Sequence, residues 1–478
     1  MGNTAQLSAR ERIVSLLDDN SFVEVGAFVT KRSTDFNLGQ KEAPGDGVIT
    51  GYGVIEGNLV YVYSQDASSL GGSVGEMHAK KIAHIYDLAL KVGAPVVGLI
   101  DSTGLRLQEA TDALNGFGEI YAKQAIASGI IPQVTAIFGN CGGGLAVLAS
   151  LSDFSFMEKK QARLFVNSPN ALSGNYKDKL DTAKADYQAK AGIVDCLGET
   201  EEEVLEKVRE LIVILPSNSE DNDSYDECTD DLNRLIPDFD ACINDSVKAL
   251  EAISDNQYFY EIKTEYAKEM VTGFIRLNGA TVGAIANRLE VTDEEGKVVE
   301  KFDGTLTTAG CYKAEDFVNF CDAFNIPVLT LTNVTGFKAT MEEEKSIAIA
   351  SAKLTYAFAN ATVPKVNIIV GKAFGSASIT MNSKHIGADM VFALPNTLIG
   401  TMEPDLAAQI IYDGESGVEL KDKAAEYGSL QASAESAAKR GYVDSIIEAQ
   451  SVRKHAIYSF EMLFTKRETR PAKKHGTI

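Results

Sequence analysis

The sequence predicts an α/β protein built from two copies of one domain by internal duplication. Three observations carry this. The run Ala94-Pro95-Val96-Val97-Gly98-Leu99-Ile100-Asp101 with Ser102-Thr103-Gly104 returns as Ile326-Pro327-Val328-Leu329-Thr330-Leu331-Thr332-Asn333 with Val334-Thr335-Gly336. The spacing is constant: Pro327 follows Pro95, Gly336 follows Gly104, Pro364 follows Pro132, Gly371 follows Gly139 and Gly375 follows Gly143, each by 232 residues. Each copy reads strand, Gly turn, helix, strand, then a Gly-rich turn into an apolar segment. A repeat of that length marks two homologous domains, not a solenoid of short units.

The elements follow in order. Ser8 through Leu17 reads as a short amphipathic helix. Residues 47–66 read as a hairpin, with strands Gly47–Tyr52 and Leu59–Tyr63 around Glu56-Gly57-Asn58. A helix over Gly75–Val92 carries Ile82, Ile85, Ala89 and Val92 at helical spacing and stops at Gly93. Pro95–Ile100 and Gln133–Phe138 are apolar runs of the kind that form buried parallel strands. Leu277-Asn278-Gly279-Ala280 repeats the hairpin at a spacing of 222, as Gly279 against Gly57. The change from 222 to 232 implies ten extra residues, which the polar stretch within 290–304 accommodates. Glu201–Ile214 reads as a charged helix stopped by Pro216. The acidic run from Ser217 to Asp231 reads as a solvated linker. The expected domains are 1–235 and 236–478.

Composition narrows the function. Across 478 residues, 45 Lys and Arg face 67 Asp and Glu, a net charge of −22. That argues against nucleic acid or an anionic membrane as partner. The six cysteines form no C-x-x-C pair and the five histidines no metal-spaced pair, so no metal site and no disulfide framework are expected. Met1–Gln6 has no apolar signal region and no Ser or Thr at position 6 for myristoylation, and no run reaches membrane-spanning length. These points lead to a cytoplasmic expectation.

The chemistry-bearing motifs are the two Gly-rich turns. Asn140-Cys141-Gly142-Gly143-Gly144-Leu145 follows a strand and opens an apolar segment, and Lys372-Ala373-Phe374-Gly375-Ser376-Ala377 sits at the equivalent place. Bare N–H groups at a helix start stabilise a negative oxygen, so two copies suit a reaction with two oxyanions. The bland reading is a tight turn that needs Gly for packing alone. Ser68–Ser73 before the Gly75 helix is either an anion-binding helix start or a cap and turn. His78 and His84 read as packing or surface residues before catalytic ones. Glu109 reads as a surface or capping carboxylate before a general base, and Cys141 lacks a spaced His to make it a nucleophile.

A wider set of residues resembles the biotin-dependent acyl-CoA carboxyltransferase family, which includes propionyl-CoA and acetyl-CoA carboxylase β subunits, the transcarboxylase 12S subunit and methylmalonyl-CoA decarboxylase α subunits. The set runs nearly end to end: Ala9–Ile13, Pro44–Val48, Ser64–Asp66, Gly71–Ser73, His78–Ile82, Val92–Pro95, Cys321–Pro327, Ala361–Val366, Ser383–His385 and Pro471–Gly476. The resemblance implies two tandem crotonase-like (ClpP/crotonase) domains and a homo-oligomer, often a hexamer. It implies an acyl-CoA substrate, with coenzyme A part of it, and biotin delivered by a separate biotin carboxyl carrier protein. The further partner would be a biotin carboxylase or a membrane decarboxylase subunit.

On this resemblance Gly143 and Gly144 hold the thioester oxygen, and Gly375, Ser376 and Ala377 hold the biotin ureido oxygen. Gly71, Gly72, Gly104, Arg106, Gly336, Phe337 and Ile379 fall in the binding segments. The chain has no Met-Lys-Met biotinylation motif, no Gly-rich ATP signature and no four-Cys zinc ribbon. It departs from the family at Thr103 and Leu105, where Gly and Ala are usual, and at Ile379, where many propionyl-CoA enzymes carry Asp. The alternatives are the α subunit of a sodium-pumping acyl-CoA decarboxylase, a biotin-independent crotonase-type enzyme using Glu109 or Glu344, and a non-catalytic scaffold subunit.

Overall fold

The computed structural model describes residues 6–32, 43–221, 225–415 and 419–471. Met1–Ala5 and Ala472–Gly476, both used in the sequence reading, lie outside them. The chain divides into two compact units, Met1–Ser224 and Tyr225–Ile478.

In the first unit, helix α1 (Ala9–Leu16) starts at Ser8, whose hydroxyl accepts from the Glu11 N–H while Glu11 reaches back to the Ser8 N–H. This is the reciprocal box that satisfies two otherwise orphaned donors. The expected hairpin is β1 (Val48–Ile55) and β2 (Asn58–Gln65), longer than predicted because the apolar alternation runs to the turn. Helix α2 (Glu76–Val92) ends at Gly93 in the left-handed region, φ +67°, as a Gly stop allows. Strands β3 (Val96–Ser102) and β4 (Gln133–Gly142) pair in parallel, with α3 (Ala110–Ala127) between them in sequence. Helix α4 (Gly144–Ser150) and β5 (Phe154–Glu158) follow, and α5 (Glu201–Ile214) is capped by Thr200. The sheet order is 23–24, β1, β2, β3, β4, β5, 196–198, with Arg163–Phe165 beside the end of β4. Ile82, Ile85, Ala89, Ile100, Ile120, Ile137 and Leu148 form its core.

The second unit repeats this order. Strands β6 (Met270–Leu277) and β7 (Ala280–Asn287) form the hairpin. Helix α6 (Thr308–Ala323), β8 (Val328–Val334), α7 (Ile347–Asn360), β9 (Lys365–Phe374), α8 (Gly375–Thr380) and β10 (Met390–Ala393) follow. The parallel order runs from β7 through β8 and β9 to β10. The ten-residue insertion is an antiparallel ribbon, Glu290–Thr292 against Val298–Lys301.

The duplication extends to buried polar groups. Lys81 and Lys313 are 232 residues apart. Lys81 Nζ donates to Gly45 O (2.8 Å) and to Val48 O, and Lys313 Nζ to Lys263 O (2.9 Å) and Tyr266 O (2.8 Å). Each holds the loop that leads into its unit's hairpin. Burial pushes both ammonium groups down to about 8.

Two expectations change. Residues 225–235, assigned to the first domain, belong to the second. Tyr225 bridges to Ala280, Asp226 N–H donates to Gly279 O at 3.0 Å, and Asp230 pairs with Arg453. The linker is also less free than its composition suggests. Asn218 Nδ2 donates to Gly93 O (2.8 Å) and Ser219 N–H to Ile130 O (2.9 Å).

Candidate functional site: two Gly-rich turns

Strand β4 delivers the chain to the first turn. Gly143 adopts φ +60°, ψ −122°, a conformation closed to L side chains. A Cβ there would meet nothing within 4 Å, so backbone shape and not space requires the glycine. The next glycine has the opposite reason. A Cβ on Gly144 would stand 2.9 Å from Tyr121 Oη and 3.2 Å from the Phe117 ring.

The Gly143 N–H donates to Phe165 O at 2.9 Å. This corrects its expected role: Gly143 makes the bend, and its own N–H is already engaged. The donors the turn leaves over are the N–H groups of Gly144 and Leu145, which meet no acceptor among the described residues, as the first N–H groups of a helix do. Tyr121 Oη donates to Gly144 O at 2.6 Å and fixes the peptide from behind. Neither Leu145 as donor nor Tyr121 as support was legible in the sequence. Cys141 is fully buried, and burial pushes its thiol well above the ordinary range, so it stays protonated and unreactive.

Strand β9 delivers the chain to the second turn in the same way. Gly375 has φ +61°. A Cβ there would meet Thr401 O at 3.3 Å. The N–H groups of Ser376 and Ala377 have no acceptor among the described residues. Ser378 Oγ donates to Gly375 O at 2.8 Å, and Thr380 Oγ1 to Ser376 O at 3.1 Å, so side chains brace the turn.

A cavity of about 530 Å³ opens beside it. Gly375, Ser376 and Ile379 line it with apolar Ile369, Ala373 and Ile399, and Lys384, His385 and Arg440 add positive or titratable groups. Ile379 therefore lines this cavity together with the turn.

The other expected binding residues sort differently. Gly71 and Gly72 have φ +65° and +63° and pack closely. Added Cβ atoms would stand 2.9 Å from Thr103 and 2.4 Å from Asp101 O. Thr103 N–H donates to Gly71 O, and Val74 N–H to Gly104 O. Gly336 and Phe337 pair with Thr305–Leu306 and are half-buried.

Arg106 is 2 % exposed and fully engaged. It pairs with Asp46, with Glu109 at 2.9 Å, and donates to Ser73 O at 2.6 Å. It is a structural cation, not a side chain free to meet a ligand. The anion expected at the start of α2 is the chain's own. Glu109 Oε2 accepts the Glu76 N–H at 2.6 Å, so Glu109 is a buried cap and not a base open to substrate. Glu344 is exposed.

His78 is buried, with Nδ1 3.0 Å from Asp46 O and Nε2 3.2 Å from Gln65 Nε2. The carbonyl fixes Nδ1 as donor and the amide fixes Nε2 as acceptor, so the ring is neutral. Burial, then the Arg106 charge, pushes its pKa down to about 3. His84 is exposed on α2. Among the described residues no group of three or more His, Cys, Asp or Glu side chains is placed to hold a metal ion, and no helix is long and apolar enough to cross a membrane.

With this geometry in hand, comparison with known proteins is specific. Residues 3–478 match the carboxyl transferase domain model. The chain is 39 % identical over 487 residues to the propionyl-CoA carboxylase beta chain of Roseobacter denitrificans, covering 99 % of this chain and 94 % of that one. It is 40 % identical over 486 residues to the methylmalonyl-CoA decarboxylase subunit alpha of Veillonella parvula, covering 99 % and 93 %. The crystal structure of transcarboxylase 12S, a hexamer with hydrolysed methylmalonyl-coenzyme A bound, superposes with a TM-score of 0.91 at 34 % identity, covering 98 % of this chain and 92 % of that one. Two crotonase-like units, a duplicated turn with free N–H groups and end-to-end similarity agree: the chain belongs to the carboxyl transferase family and is an acyl-CoA carboxyltransferase.

Proposed function

We propose that this chain moves a carboxyl group between carboxybiotin, held on a separate biotin carboxyl carrier protein, and a short-chain acyl-CoA, with propionyl-CoA and methylmalonyl-CoA the first substrates to test. The observation that carries the reading is the pair of turns. Gly143 and Gly375, 232 residues apart, hold φ +60° and +61°, and each is followed by N–H groups that meet no acceptor among the described residues.

The first turn holds the thioester oxygen through Gly144 and Leu145 as negative charge develops on it. The second holds a ureido oxygen through Ser376 and Ala377. Each such donor is worth about 10²–10³ in rate. Carboxybiotin supplies the transferable carboxyl group, and the decarboxylated ring supplies a base for the α-proton. The second turn suits such a ring: two free donors stand beside a cavity of about 530 Å³. No protein base is required. This accords with Glu109 capping α2, and it disfavours a biotin-independent crotonase-type reaction through that residue.

Similarity to both carboxylase and decarboxylase subunits leaves the direction to the partner: a biotin carboxylase for one, a membrane decarboxylase subunit for the other. We further propose a cytoplasmic location, and a hexameric assembly by analogy with transcarboxylase 12S. The test is carboxyl exchange between labelled methylmalonyl-CoA or malonyl-CoA and a biotinylated carrier, with free biotin as a second acceptor. Label transfer that depends on biotin is expected. Turnover without biotin, or no turnover with either acceptor, overturns the proposal. A streptavidin blot of the purified chain is expected to be blank, because no biotinylation motif is present.

A further inference from the structure

The duplication supplies an internal control for a second cavity. In the first unit, Asp101 at the end of β3 accepts from Arg12 Nη1 at 3.1 Å. Arg12 is 1 % exposed, pairs with Glu201 at 2.8 Å, and its guanidinium lies 4.8 Å from the centre of the Phe138 ring. The chain's own arginine fills the place. At the spacing of 232, Asp101 becomes Asn333, and Phe138 becomes Val370. Among the described residues no arginine lines the equivalent place. A cavity of about 550 Å³ opens there, lined by Asn333, Thr335, Val370, Gly371 and Lys372. It shares no lining residue with the cavity beside Ser376.

The chemistry of its lining is defined. Asn333 is 4 % exposed. The Lys372 N–H donates to its Oδ1 at 2.9 Å, which settles the orientation of the amide. Asn333 Nδ2 donates to no atom of the described residues, so a donor in the cavity wall is left for an acceptor. Leu289, Phe302 and Leu394 supply apolar wall.

Asp240 and Glu448, both exposed, meet no cation among the described residues. The two charged pairs at the cavity are closed, Lys372 with Glu403 and Asp303 with Lys338. Among the described residues the uncompensated charge at the cavity is negative, which disfavours an anionic ligand. The volume suits a ligand of nucleoside size.

We propose that this cavity of the second unit binds an uncharged molecule of nucleoside size, presenting an amide or ureide carbonyl to Asn333 and hydroxyl donors to Asp240 and Glu448. The site is independent of the carboxyl-transfer reading.

Saturation-transfer-difference NMR on the full chain tests it, with uridine as the probe and uridine 5′-monophosphate as the charged control. Transfer to uridine is expected, with little to the monophosphate. Asn333→Asp keeps an acceptor for the Lys372 N–H and removes the donor; it is expected to weaken uridine binding about tenfold or more, the scale of one lost hydrogen bond in a buried site. Val370→Phe places the first unit's side chain in the wall, leaves Asn333 unsubstituted and is expected to abolish transfer. Thermal melts confirm that both variants fold, and if Asn333→Asp does not, Val370→Phe and the monophosphate decide. No transfer to uridine in the wild type, equal transfer to the monophosphate, or unchanged affinity in a folded variant overturns the proposal.

Discussion

Glu109 Oε2 accepts the backbone N–H of Glu76, the first residue of α2, at 2.6 Å. The second unit repeats the relationship. Glu343 Oε2 accepts the N–H of Thr308, the first residue of α6, at 2.7 Å. In each copy a carboxylate from just before one helix closes the start of the preceding one, where the helix dipole favours negative charge. The first-unit carboxylate also holds Arg106, which in turn pairs with Asp46.

Glu109→Gln therefore removes a buried charge that Arg106 and the α2 start share. Breaking one member of a buried pair costs about 3–5 kcal/mol, and a loss at the low end of that range is expected because Asp46 still compensates Arg106. Glu343→Gln lacks a buried arginine partner and should cost about 1 kcal/mol, the scale of a helix cap. Urea denaturation of the two variants measures the difference. Equal small losses would show that Glu109 has no special place in the first unit.

The structure also selects the better probe of the first turn. Gly144→Val meets Tyr121 and Phe117 as well as the free donor, so its loss of activity would mix packing with chemistry. Gly143→Ala meets no atom and acts only through φ +60°. It should shift the Gly144 and Leu145 N–H groups and lower turnover about 10²-fold or more, with the oligomer intact by light scattering. Turnover near wild type would remove this turn from the mechanism.

Ile379 lines the cavity beside Ser376 with Ile369, Ala373 and Ile399. A carboxylate at this position would bring water into an apolar wall. Ile379→Asp is expected to change the ratio of kcat/KM values among acetyl-, propionyl- and butyryl-CoA by about tenfold, the scale of one methylene in an apolar pocket. Steady-state kinetics on the three substrates check it. A uniform fall with unchanged ratios would point instead to Thr103 and Leu105.

His78 should mark the acid limb of stability. It is neutral in the fold with a pKa of about 3, against an ordinary value of 6.5. The unfolded chain therefore binds an extra proton between these values. Stability from this group is complete above about pH 6.5 and is lost as pH falls toward 3. Asp46, pushed upward by burial and then lowered in part by Arg106, works in the opposite direction on the acid side. The comparison is therefore with His78→Gln, which should flatten the wild-type decline in melting temperature between pH 6.5 and 4. Parallel curves for the two proteins would remove His78 as the source.

The duplication, the hairpins, α2 between Gly75 and Gly93, α5 before Pro216, the place of both Gly-rich turns and the family were all legible in the amino-acid sequence. These follow from periodicity, turn residues and a constant spacing, all local or repeated signals. Tertiary structure decided the fate of individual polar groups. Gly143 spends its N–H on Phe165 because Arg163–Phe165 pairs beside β4. Arg106 turns inward because the loop at Asp46, sixty residues earlier, brings a buried carboxylate to it. Arg12 fills one cavity while its counterpart around Asn333 stands open. Such partners come from distant parts of the chain, and local pattern holds no record of which buried donor meets which acceptor.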